Sequence, residues 1–170
     1  MKLLSVVLLV LVLALPAQAG EIIRGMVKTV YDGDTVLLMA KPRGQIKVRL
    51  YGIDAPETAK PERPAQAYGA VARRVLMYKL LGKAVTLEVQ EQDQYGRVVG
   101  VIRLDGRDIN AEMVAEGLAW AYRQYLQGSY ASEYLWLEEQ ARRRHSGLWR
   151  QPNPQPPWEF RRGSQGRRRR

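Results

Sequence analysis

The chain of 170 residues carries a formal net charge of +10, 46% apolar residues, one histidine and no cysteine. That length is room for one domain with a real core plus tails, not for two. Without cysteine there is no disulfide framework and no thiolate ligand or nucleophile, and the lone His145 excludes a multi-histidine metal site.

Residues 1–19, MKLLSVVLLVLVLALPAQA, combine Lys2, an apolar run from Leu3 to Leu15 that only Ser5 breaks, then Pro16 and an Ala17-Gln18-Ala19 ending. This is the pattern of a cleavable export signal, and cleavage leaves Gly20 first. The run is shorter than the ~20 residues that span a bilayer, so no stable membrane association is expected afterwards. Export makes the expected location periplasmic or extracellular.

From Glu21 to Val30 the residues alternate loosely as a strand. The Asp32-Gly33 turn leads into a second strand over DTVLLMAK, and QIKVRLYGI makes a third, with Ile46, Val48 and Leu50 on one face and Lys47, Arg49 and Tyr51 on the other. Between Pro64 and Leu81 the period becomes helical, with Tyr68, Val71, Val75 and Tyr78 on one face and Gly82 as the stop. Strands resume in AVTLEVQ and RVVGVIRL, the latter closed by Asp105-Gly106. A short helix follows around Asn110 to Glu116, then a longer one from about Tyr130 to His145 with Tyr130, Tyr134, Leu137 and Ala141 as its stripe. His145 suits the last carbonyls of that helix.

Residues 151–170, QPNPQPPWEFRRGSQGRRRR, hold too much Pro, Gln and Arg to fold alone and are read as a disordered tail. Arg161, Arg162 and Arg167 to Arg170 supply six of the surplus positive charges. Such an end suits a polyanion or simply solvates the chain. The layout predicts a mainly β fold with helices, a five-stranded OB-fold barrel packed with three α-helices over residues 20–150.

Charge gathers at strand ends: Asp32 and Asp34 in YDGDT, Arg49, Asp54 and Glu57 in RLYGIDAPET, Asp93 and Arg97 in DQYGR, and Lys47 beside Arg49. Charged groups at the rim of an apolar barrel are costly unless they pair or hold a ligand. An EF-hand is excluded, because Val36 and Leu37 fall where an acid and a glycine are needed.

Taken together, VYDGDTV, VRLYGIDAPET, DQYGRVVG and DINAEMVAEGLAWAY resemble the staphylococcal nuclease (thermonuclease) family in order and spacing, over about Glu21 to Trp149. The resemblance implies a secreted Ca²⁺-dependent phosphodiesterase, an endonuclease acting on DNA and RNA. It implies Asp34 and Asp54 as carboxylate ligands of the metal and Ala55 as a main-chain carbonyl ligand. Ala55 stands where the best-known member has threonine, and a carbonyl ligand requires no particular side chain. Glu57 is implied as the general base or water-positioning group, and Arg49 and Arg97 as the catalytic pair on the phosphate. The tyrosines that meet phosphate and base fall at Tyr122 or Tyr125.

The chemistry fits such roles. A phosphodiester resists attack because its anionic oxygens repel a nucleophile, so a catalyst must neutralise charge, place a water and accept its proton. Ca²⁺ takes ~6 to 8 oxygen ligands in a flexible shell. A carboxylate can take the proton, and a planar guanidinium gives two hydrogen bonds to phosphate at once. The competing reading is a non-catalytic OB module that grips single-stranded nucleic acid; such a binder has no use for Asp34, Asp54 and Glu57 together. The expected partners are DNA and RNA, with single-stranded or frayed regions preferred, met by a monomer.

Overall fold

The computed structural model describes residues 20–61 and 64–166. The leader expected over residues 1–19 and the four terminal arginines lie outside them.

Strands β1 (Ile22–Val30), β2 (Thr35–Ala40) and β3 (Gly44–Leu50) form an antiparallel meander. A register shift between Val27 and Thr29 breaks the strict alternation of β1, so Ile23, Val27 and Val30 all face the interior. β4 is the pair Ile53–Asp54. After helix α1 (Gly69–Leu80), β5 (Ala84–Gln92) joins the free side of β1 and pairs with β6 (Val98–Leu104). A parallel pairing of β3 with β6 joins the two edges, so five strands close into a barrel of OB type. This seam sets Val48 against Val98 and Arg49 against Val99, which brings the Arg49 strand beside the chain leaving Arg97.

The type I′-like turn at Asp105 and Gly106, both at positive φ, leads into β7 (Arg107–Asp108) and then α2 (Ile109–Ala115). The Asp108 carboxylate caps α2 by accepting from the Ala111 N–H. β8 (Trp120–Ala121) pairs with β4, Trp120 opposite Asp54. Helix α3 (Gly128–Arg143) follows, and His145 stands at positive φ beyond it, where its main-chain N–H reaches the Arg142 carbonyl. The helix end uses the backbone of His145.

Helix α1 closes the barrel with Ala72, Leu76 and Leu80, spaced four apart. Burying each leucine contributes about 1.5–3 kcal/mol. The expected stripe of Tyr68, Val71, Val75 and Tyr78 is therefore rotated from the true one: Val71 and Val75 lie at its edge and Tyr78 is 89% exposed. Aromatic size misdirects that reading, since the small Ala72 is fully buried beside the Gly33 turn.

The structure departs from the sequence reading beyond residue 150. The segment Pro157–Gly166 is a fourth helix, α4. Pro157 begins it, where a missing N–H costs nothing, and the Pro156 carbonyl accepts from Glu159 and Phe160. Trp158 lets this segment dock, packing on a second apolar cluster of Trp120, Ala141, Leu148 and Trp149 outside the barrel.

Candidate active site

Two loops and the barrel seam build the site. In the β1–β2 turn Gly33 lies so close to α1 that a Cβ there would come within 2.6 Å of the Ala55 Cβ and 2.7 Å of the Ala72 Cβ. The flanking Asp32 and Asp34 are thereby set against the segment after β4. Asp34 is 6% exposed. One of its oxygens accepts from the Ala55 N–H at 2.7 Å and the other from Thr35 Oγ1 at 3.0 Å.

Arg49 ties the expected ligands together. Its Nη1 pairs with Asp34 Oδ1, while Nη2 donates to Asp54 Oδ1 at 2.8 Å and to the Ile53 carbonyl at 3.1 Å. Asp54 is fully buried at the β4–β8 pairing. Glu57 follows the Ala55-Pro56 step and is 8% exposed. Its loop is clamped by Gln66, whose N–H donates to the Glu57 carbonyl at 2.9 Å while its side-chain oxygen accepts from the Glu57 N–H at 3.3 Å. Lys60 Nζ donates to Glu57 Oε2 at 3.1 Å.

Arg97 enters the same cleft from the β5–β6 turn. Asp93 holds it, with Arg97 Nε donating to Oδ2 at 2.6 Å and the Tyr95 and Arg97 N–H groups donating to Oδ1. The cleft encloses about 690 Å³, and Asp34, Arg49, Ala55, Glu57, Arg97, Tyr122 and Tyr125 all line it. Asp54 lies beneath it, joined through Arg49. Lys47 instead sits over the Tyr31 ring, 5.0 Å from its centroid.

Two residues that sequence reasoning did not assign complete the cluster. Arg161 of α4 reaches back across the cleft: Nη1 and Nη2 bond the two oxygens of Asp54 at 3.0 and 2.8 Å, and Nη1 bonds Glu57 Oε1 at 2.8 Å. No local signal marked it, because it opens a run that reads as a solvated tail. Asp32 is the other, half-buried beside Asp34.

Burial and the nearby cations pull the four acids of the site in opposite directions. Burial, and next the charge of Asp34, push the Asp32 carboxyl up to about 7. Burial also raises Asp54 against the pull of Arg49 and Arg161. Asp34 is held below the ordinary range because Arg49 overcomes the effect of burial. For Glu57 too, burial pushes upward, but hydrogen bonds from Arg161 and Lys60 outweigh it and leave the carboxylate ionised at neutral pH.

Among the described residues no group of three or more Asp, Glu, His or Cys side chains gathers as a metal cluster. The donor set here is two carboxylates and a carbonyl, all hard oxygens, with Asp32 adjacent. Hard anionic and carbonyl oxygens are the donors that a divalent cation such as Ca²⁺ prefers, and the donor set fits it in that chemistry.

A closed OB-type barrel, an architecture whose face and loops bind oligonucleotides or oligosaccharides in other proteins, here carries acids and arginines along one cleft. Residues 47–151 match the family described as staphylococcal nuclease homologue, and the chain belongs to that family. It is 40% identical over 164 residues to "Micrococcal nuclease" of Shigella flexneri, covering 91% of this chain and 88% of the relative. It is 38% identical over 171 residues to "Protein ParB" of Escherichia coli (95% and 90%) and 37% identical over 161 residues to an "Uncharacterized endonuclease" of Haemophilus influenzae (95% and 85%).

Proposed function

We propose that the protein is an exported Ca²⁺-dependent nuclease that hydrolyses phosphodiester bonds in DNA and RNA within strands, preferring single-stranded or frayed regions. One observation carries the reading: Glu57, Asp34, Arg49 and Arg97 line a single cleft with Asp54 held beneath it by Arg49. A structural ion-pair network would need no such convergence on an open cavity. Its membership of the staphylococcal nuclease homologues supports the same activity.

Asp34, Asp54 and the Ala55 carbonyl would hold Ca²⁺, which when bound polarises a phosphate oxygen and fixes the attacking water. Glu57, ionised and next to the cleft, accepts the water's proton as the oxygen attacks phosphorus. The P–O bond to the leaving strand breaks, and its oxygen takes a proton from solvent. Arg49 and Arg97 offset the charge on the phosphate from two sides, where a planar guanidinium gives paired hydrogen bonds.

The apolar run over residues 1–19 supports export. No helix among the described residues is long and apolar enough to cross a membrane. The test of function is incubation with single-stranded DNA and RNA in Ca²⁺ or in chelator. Cleavage only with Ca²⁺ is the expected result; unchanged cleavage in chelator overturns the metal role, and binding without cleavage under both conditions replaces the enzyme by a binding module.

A further inference from the structure

The contacts of α4 with the cleft belong to no step of the reaction just described. We propose that α4 is an intramolecular latch, holding Arg161 on Asp54 and Glu57 and Trp158 on Tyr122, which leaves the cleft when the divalent cation is taken up. This rests on the Ca²⁺ reading above.

Two separate contacts, three residues apart on one helical face, occupy the site. Arg161 engages both oxygens of Asp54 and one of Glu57, so a guanidinium stands on an expected ligand and on the expected base together. A cation approaching Asp54 meets a fixed positive charge and carboxylate oxygens already committed to hydrogen bonds. Trp158 lies parallel to Tyr122, with an interplanar angle of 2° and centroids 5.1 Å apart. That covers a face of a ring lining the cleft, where a planar base would otherwise stack. Either contact alone is a packing detail; both are released by one displacement of α4.

The attachment suits such a displacement. The strap from Gln151 to Pro156 has Pro152, Pro154 and Pro156 in six residues, and Pro152, Asn153 and Gln155 are exposed. A proline-rich strap is a semi-rigid arm that can swing without losing internal structure. Its tether to the Glu57 loop is the bond from Gln66 Nε2 to the Gln155 carbonyl, 2.5 Å. At its N-terminal end α4 rests on Trp120 through Trp158, centroids 5.6 Å apart, and Trp120 is braced by Trp149 and the Arg142 guanidinium. The platform stays with the domain while the helix departs. Charge supplies the trigger: a divalent cation on Asp54 repels Arg161 and competes for the carboxylate oxygens that it holds.

A closed latch lowers apparent cation affinity by the fraction of molecules in which it is open. Calorimetric titration of Ca²⁺ into the full chain, Arg161→Ala and Trp158→Ala, with amide hydrogen exchange on the full chain, tests this. Both variants should bind Ca²⁺ about tenfold more tightly, and saturating Ca²⁺ should strip protection from the amides of Phe160 to Gly163. Trp158→Ala changes no charge, so tightening by Arg161→Ala alone reduces the effect to local repulsion and overturns the latch. Equal affinities in all three proteins, or α4 protection unchanged by Ca²⁺, overturn it while leaving the metal reading intact. Absence of Ca²⁺ uptake by every variant overturns the metal reading, and the latch with it.

Discussion

Arg49 reaches three acceptors at once, Asp34, Asp54 and the Ile53 carbonyl, from the strand at the barrel seam. A lysine would carry the same charge as a single point, without the fork that spans two carboxylates. Arg49→Lys should therefore cut turnover by ~10²-fold or more, the scale for removing one preorganised donor; steady-state rates on single-stranded DNA check this, and near-normal turnover would make Arg49 structural. Asp32 yields a prediction about pH. Its carboxyl rises from 3.8 to about 7, through burial first and Asp34 second. Across that window the folded protein keeps a proton that the unfolded chain has released, so without a cation this group costs stability as pH rises through it, and the cost persists above. Asp32→Asn should melt several degrees higher than the parent at pH 8 in chelator, with the gap closing at pH 4.5. A gap independent of pH would remove Asp32 from the account. Asn110 shows what the sequence hides. Fully buried, it donates to the Tyr51 and Gly100 carbonyls and accepts from the Ile102 N–H, stitching β6 to the end of β3. Asparagine opening a helix reads as local, yet it also reaches Tyr51, 59 residues away in the sequence. Asn110→Ala should cost roughly 3 kcal/mol, because three buried backbone groups each lose a hydrogen bond, the Gly100 carbonyl keeping the one from the Tyr51 N–H, measured by urea unfolding.

Among the elements, the strands were legible because each carries its own period of two and its own turn signal, and five of them with a helix between the third and fourth leave few ways to close. The seam that sets Arg49 against Val99 follows from that closure. The face of α1 was not legible: Ala72 is chosen for its size against the barrel, a property of the pair of surfaces and not of the helix. Helix α4 was hidden for a similar reason. Proline, glutamine and arginine say nothing about docking until the Trp120 platform and the Asp54 carboxylate exist to receive Trp158 and Arg161. The junction of α1 with the Glu57 loop gives a prediction of its own. At Gly69 a Cβ would land on the Glu57 carbonyl, backbone that cannot turn aside as a side chain can. Gly69→Ala should shift that loop and lower turnover at least tenfold, a barrier change of about 1.4 kcal/mol, while the circular dichroism of the barrel stays that of the parent. Unchanged turnover would mean that Glu57 keeps its place without this contact.

At the scale of the whole molecule the charge is uneven, and the unevenness divides into two kinds of arginine. Arg161 belongs to the cleft, whereas Arg167 to Arg170 follow α4 as four successive charges. Each arginine that meets a phosphate releases condensed counterions, steepening the fall of log affinity with log salt by ~0.7 per contact on single strands. Such contacts strengthen association at low salt but do not touch the reacting phosphorus. A chain ending at Gly166 keeps α4, Arg161 and every residue lining the cleft, so its Ca²⁺ affinity and its turnover at saturating substrate should equal those of the full chain. Its affinity for single-stranded DNA should be weaker at low salt, with a shallower salt slope. Fluorescence titrations of a labelled oligonucleotide at several salt concentrations measure this, and superimposable plots would show that the four arginines meet no nucleic acid. Because the same chain retains the latch, a change in its Ca²⁺ affinity would place the terminal charges in the cleft instead of beyond it.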